Sequence, residues 1–236
     1  MVFVKEKPDW GKGEEFLGPR HLSRLKKINS LLPKEKSLFL DAAIGLGVLS
    51  ESLSKKEFFP IGVDLDFGAA MFSQKKGIRT LVACLEKLPF KTCVFPLIIS
   101  SETLEHLDDY KIALYEFERI LKNEGSLIIS VPINKWLWSY WDEWAGHKRR
   151  FSPKTLVENF KPFKIEKAIF FGFPFILLYD LIFMRNFIKK RGEGKMKNKS
   201  FYLFLNKLLK KPLLFLFSIS IPIKIFSPNL IVKLKK

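Results

Sequence analysis

Ser37-Leu-Phe-Leu-Asp41-Ala42-Ala43-Ile44-Gly45-Leu46-Gly47, followed by Phe59-Pro-Ile-Gly62-Val63-Asp64, is the stretch on which the fold of this 236-residue chain turns. An apolar run closing in a carboxylate and a Gly-containing turn predicts a strand that feeds a helix. A second apolar run closing in Asp64 predicts the neighbouring strand of a sheet. Together they form a nucleoside site at the carboxyl edge of an α/β sheet. Glycine lets a ligand approach the backbone, the helix start offers unpaired N–H groups, and Asp64 is placed to accept from a ribose diol.

Downstream, Thr80 to Phe90 (Thr-Leu-Val-Ala-Cys84-Leu85-Glu-Lys-Leu-Pro-Phe) reads as a short strand, a loop and a turn. Phe95 to Ser101 reads as a buried strand, and Glu102-Thr-Leu-Glu105-His106-Leu follows it. A helix is predicted from about Asp109 to Leu121, then Lys122-Asn-Glu-Gly125 and a strand from Ser126 to Pro132. In this order the fragments resemble the class I S-adenosylmethionine-dependent methyltransferases, in particular the small-molecule and lipid enzymes that include the quinone-biosynthesis methyltransferases. The resemblance runs from about Phe39 to Phe160.

The resemblance implies a Rossmann-like, seven-stranded, mostly parallel sheet with helices on both faces, and S-adenosylmethionine as cofactor. By position it assigns the cofactor to Asp41, Ala42, Ala43, Gly45, Gly47, Asp64, Leu65, Cys84, Leu85 and Ser101. Three of the family's usual residues are replaced. Ala43 stands for a glycine, and its methyl group is tolerated cheaply only at negative φ. Cys84 stands for an acid that accepts from the adenine amino group, a task for which a thiol is poor; the Leu85 N–H is left to meet the ring. Pro96 stands for Asp and removes a donor, so its strand must start unpaired or carry a bulge. The acidic-Pro-Pro-Tyr loop that serves methylation of bases and amides is absent where Ser100-Ser101-Glu102 stands, which disfavours a nucleic-acid base as acceptor.

With 47% apolar residues the chain is not globally disordered. Its two cysteines, Cys84 and Cys93, have no CxxC partner, which argues against a disulfide or zinc site and for a reducing compartment. The first ten residues hold no signal-length apolar run, so a cytoplasmic protein is expected, peripheral on the membrane face if its tail binds lipid. Residues 1–36 read as a helical lead-in with Arg20, Arg24, Lys26 and Lys27 on a basic helix, residues 37–167 as the methyltransferase core, and residues 168–236 as a basic, apolar C-terminal appendage.

That appendage carries most of the charge. From Arg185 to Lys236 there are fourteen Lys and Arg against Glu193 alone, or +13 of the net +17. Short apolar segments flanked by lysine fit an element lying in the headgroup layer of a membrane, and none reaches the length of a spanning helix. Ordinary core packing is the competing reading. Nucleic acid is disfavoured because the tail is aliphatic and poor in arginine. Gly192-Glu193-Gly194 and the lysines up to Ser200 read as a linker.

Acceptor contacts are expected after Pro132. Trp136, Trp138, Trp141 and Trp144 are four of the chain's five tryptophans, and they suit either an aromatic lid over a small-molecule or lipid-linked acceptor or a structural cap. Gly146-His147-Lys-Arg-Arg150-Phe151 resembles an element of the same subgroup. His147 and His106 are the candidate catalytic bases, and Trp136, Trp138, Trp141 and Arg150 the candidate substrate residues. Glu102, Glu105 and His106 would share one face of a helix; similar residues hold a divalent metal in related quinone enzymes, although no metal is expected here. An inactive binding or scaffold protein is the alternative, motivated by Ala43, Cys84 and Pro96.

Overall fold

The computed structural model describes residues 18–161, 163–181, 208 and 211–236. The expected linker and the first ten residues lie outside them. Seven strands make one sheet: β1 (Leu38–Ala42), β2 (Phe59–Asp64), β3 (Arg79–Val82), β4 (Phe95–Ser101), β5 (Leu121–Pro132), β6 (Lys164–Phe171) and β7 (Asn229–Lys235). Their order is β3-β2-β1-β4-β5-β7-β6, and β7 runs antiparallel to both its neighbours while the rest are parallel. The helices are α1 (Pro19–Asn29), α2 (Val48–Ser54), α3 (Phe67–Lys75), α4 (Tyr110–Ile120), α5 (Tyr140–Ala145), α6 (Pro153–Asn159) and α7 (Phe175–Tyr179), with residues 211–218 also helical.

The central strands are continuously apolar because both faces of the sheet are covered. Along β4, Leu97 and Ile99 enter one core with Phe39, Ile128 and Ile28 of α1. Ile98 enters the other with Leu40, Val63 and Phe117 of α4. All nine are fully buried, each contributing roughly 1.5–3 kcal/mol of apolar burial. Pro96 sits at a register shift between Phe95 and Leu97, the bulge that its missing donor requires. Ser152 accepts from the Lys154 N–H and Pro153 occupies the first turn of α6, so that helix begins where its sequence directs.

The structure divides the chain differently from the expected domains. The boundary at residue 167 falls inside β6, and the last residues of the expected appendage form β7, paired along its length with β5 and β6. Residues 172–228 are therefore an insertion between two strands of the sheet. Part of it packs as ordinary core: Ile176 and Phe217 are buried with Phe171 and Ile231.

Candidate functional site

The strand order reverses between β1 and β4, so the crevice expected for a ligand opens at their carboxyl ends. The turn after β1 carries three residues in the left-handed region: Ala43 at φ 64°, Gly45 at φ 53° and Gly47 at φ 68°. Ala43 thus has the conformation in which its methyl group is strained, at a cost of about 1 kcal/mol. A Cβ on Gly47 would strike Ser73 Oγ at 2.9 Å, whereas one on Gly45 would meet nothing within 4 Å. Gly47 serves packing, and Gly45 borders open space.

Asp64 is locked onto this turn. Its Oδ2 accepts the Gly45 N–H at 2.8 Å and its Oδ1 the Asp66 N–H at 2.9 Å. Burial raises its pKa, and the two N–H bonds oppose the rise. Ala42 and Asp41 are buried behind it. Asp41 accepts from Ser50 Oγ at 2.6 Å, yet burial lifts its pKa to about 7. Leu65 is exposed beside Asp64, and the Ala83 N–H donates to the Asp64 carbonyl, bringing the next loop alongside. In that loop Leu85 faces the core. Cys84 and Cys93 are exposed. The Cys84 thiol donates to Glu86 Oε2 at 2.6 Å, a bond that, with some burial, pushes the thiol pKa up. Sequence reasoning missed Glu86, an acid two residues from the position where one was sought. Ser101 closes this half, its Oγ 3.2 Å from Ser130 Oγ.

Beyond β4 and β5 lies a cluster of buried charge. Glu102 to Leu107 do not form a helix; they make a bend and turn, with the His106 N–H on the Thr103 carbonyl. Glu102, at φ 55°, lies 3.2 Å from Arg24 and 3.9 Å from Arg20. Burial alone would raise its pKa, but the two arginines outweigh that and lower it. Arg20 also lies 3.2 Å from Asp180, donates to Asn229 at 3.1 Å and stacks 5.4 Å from the Trp141 ring. Expected on a basic helix, these two arginines of α1 turn inward instead, Arg20 buried and Arg24 partly so.

Asp142 is the centre of the second half of the cluster. It accepts from the Ser139 N–H and hydroxyl, from Arg150 Nε at 2.8 Å and from His147 Nδ1 at 2.8 Å. Burial opposes its charge, but the bonds from His147 and Arg150 prevail and lower its pKa. A carboxylate held this way can only accept, so His147 carries its proton on Nδ1 and presents Nε2 3.9 Å from Glu105. Glu105 is fully buried with no hydrogen-bond partner on either oxygen. Burial, reinforced by the charge of Glu102, drives its pKa well up. His106 stacks edge-on against His147 at 4.8 Å, and burial together with His147 lowers its pKa to about 4. Glu105, His106 and His147 bring three atoms able to ligate a metal within 4.8 Å of one another.

The candidate substrate residues separate. Trp136 and Trp138 are exposed on the rim. Trp141 is half-buried 5.0 Å from the buried Trp144, as part of a cap. Arg150 is buried, its donors directed to Asp142 and to the carbonyls of Ile133 and Pro228. Asp142 itself was missed by sequence reasoning. The signal available was Ser139-x-x-Asp142, a helix-capping spacing.

Residues 40–129 match the family model described as Methyltransferase domain. An uncharacterized protein of Methanocaldococcus jannaschii is 28% identical over 55% of this chain and 58% of its own length. The ubiquinone biosynthesis O-methyltransferase of Bartonella quintana is 27% identical over 57% of each chain. The chain spans about half the length of the curated relatives it matches. Among solved structures, a methyltransferase in complex with the Haloferax volcanii Trm112 methyltransferase activator superposes over 98% of this chain and 99% of its own, with a TM-score of 0.67 at 14% identity. The glycine cradle, the carboxylate of Asp64, the strand order and the matched family model lead to one assignment: residues 40–129 form a class I S-adenosylmethionine-dependent methyltransferase domain.

Proposed function

We propose that the chain binds S-adenosylmethionine and transfers its methyl group to a small-molecule or lipid-linked acceptor at a membrane surface. The observation that carries the reading is the cradle at Gly45, where a glycine at positive φ borders open space and its N–H is fixed by Asp64. Asp64 Oδ1 and Oδ2 are the acceptors for the ribose hydroxyls. Glu86, drawn against Cys84, supplies the carboxylate for the adenine amino group that Cys84 itself lacks. Gly47 and Ala43 shape the turn, and Asp41 and Ala42 support it from beneath.

The cofactor supplies a methyl group already activated on a sulfonium. The chain's residues need only align the acceptor, exclude water and, for a hydroxyl acceptor, take a proton. Asp142 fixes the His147 tautomer so that Nε2 is the basic atom, while His106 is held neutral at its side. Arg150 acts by positioning Asp142. Trp136 and Trp138 form the rim over which an apolar acceptor passes. The inactive scaffold reading is favoured by one finding, the strained Ala43 at φ 64°.

The test uses cofactor carrying a labelled methyl group, with the purified protein and either lipid extract or polar metabolites. Label in a lipid or small-molecule product, reduced by His147→Gln, is the expected result. Cofactor binding without label in any fraction would favour the scaffold.

A further inference from the structure

Four of the six exposed isoleucines among the described residues fall at Ile219, Ile221, Ile223 and Ile225, in a fold that buries most of the others. Their position follows from topology. β6 ends at Phe171 opposite Asn229, where β7 begins, and Asn229 pairs with Pro132 at the carboxyl end of β5. The insertion of residues 172–228 therefore leaves and rejoins the sheet at the edge that carries Gly45, Asp64 and Ser101.

The isoleucine segment is fastened to that edge. Asn134 Nδ2 donates to the carbonyls of Lys224 and Ser227 at 2.8 Å each, and the Ile221 N–H donates to the Phe173 carbonyl at 3.0 Å. Phe226 stacks on Phe173 and meets the exposed Trp136 edge-on at 5.9 Å. Lys135 and Lys224 are exposed beside this apolar strip. Over its whole length the insertion carries eleven Lys and Arg against Asp180 and Glu193, and Asp180 is buried against Arg20. An apolar strip ending in tryptophan, with lysines around it, matches the chemistry of an anionic bilayer surface, where isoleucine enters the acyl boundary and lysine meets the headgroups.

We infer that the insertion between β6 and β7 docks the carboxyl edge of the sheet, through Ile221, Ile223, Ile225, Phe226 and Trp136, onto an anionic lipid bilayer, so that the acceptor enters the site from the membrane. This rests on the proposed lipid-surface methyl transfer, and it replaces attachment by a tail: removal of the chain from Arg185 would take β7 with it.

The experiment is flotation of the full chain with vesicles of phosphatidylcholine mixed with phosphatidylglycerol, and with phosphatidylcholine alone. Neither cofactor nor turnover is needed, so a failure here is distinct from a failure of methyl transfer. The expected results are binding to the mixed vesicles, weakened by salt, and a loss of at least about tenfold in partition for Ile221→Glu/Ile223→Glu. Tyr115→Glu, at an exposed position on α4, should bind as wild type. Circular dichroism melts confirm that each variant is folded. Failure of wild type to float, equal binding to neutral vesicles, full binding by the folded double variant, or a dimer in light scattering that this variant dissolves would each overturn the proposal.

Discussion

The two halves of the site are built by opposite means. The proposed cofactor half, from Asp41 to Asp64, is mostly main chain: two glycines, an alanine in a left-handed conformation and one carboxylate bonded to N–H groups. The proposed acceptor half is mostly buried side-chain charge, with Arg20, Arg24, Glu102, Asp142, Arg150 and Asp180 drawn from α1, the loop after β4, α5 and the stretch that follows it, and the insertion. A main-chain cradle suits a constant ligand and tolerates little change in shape. A charge cluster is replaceable residue by residue, but only if its partners change together, because a lone buried charge costs several kcal/mol.

That contrast predicts where single substitutions are severe. The largest effect is expected at Asp142: removal to alanine leaves Arg150 and His147 without their shared acceptor and should cost about 3–5 kcal/mol in urea unfolding. In the folded fraction, cofactor affinity should stay near wild type. Gly45→Val should behave conversely, lowering cofactor affinity by about a hundredfold because its side chain enters the cradle, while costing the melt only about 1–2 kcal/mol for a β-branched residue held at φ 53°. If Gly45→Val instead unfolds the protein and Asp142→Ala only lowers affinity, the contrast is reversed.

A pH series sharpens it further. The Asp41 pKa is raised from 3.8 to about 7 in the folded protein, so its contribution to stability is fully present below 3.8 and is lost as pH rises through about 7. Asp41→Asn should remove that loss, gaining on the order of 4 kcal/mol relative to wild type between the two ends of the window, measured by urea melts. The smallest effect is expected at Ala43. Ala43→Gly relieves the left-handed strain and should stabilise by about 0.5–1 kcal/mol, because added freedom of the unfolded chain offsets part of the gain.

The sequence made the cofactor half legible because its determinants are local: strand, turn and carboxylate lie within one stretch, and each residue type has a backbone consequence. Even there the conformation of Ala43 was not readable, since nothing but glycine preference marks a positive φ. The acceptor half was hidden. Arg20 and Arg24 look like the solvated face of a basic helix until Glu102 and Asp180, far along the chain, are brought against them. β7 was concealed in the same way. Its Leu230-Ile-Val run has a strand's composition, but Lys233 and Lys235 made it resemble the basic tail, and only folding sets them against Glu166 and Glu124.

Cofactor binding depends most on the proposed cradle formed by Gly45 and Asp64. Titration calorimetry of the folded wild-type protein with S-adenosylmethionine and S-adenosylhomocysteine, beside Asp64→Ala, tests it directly. Saturable one-to-one binding of both compounds is expected, weakened by at least about tenfold in the variant, through loss of the carboxylate proposed for the ribose, which also fixes the Gly45 N–H. No binding to folded wild type, or equal binding by Asp64→Ala, would contradict it.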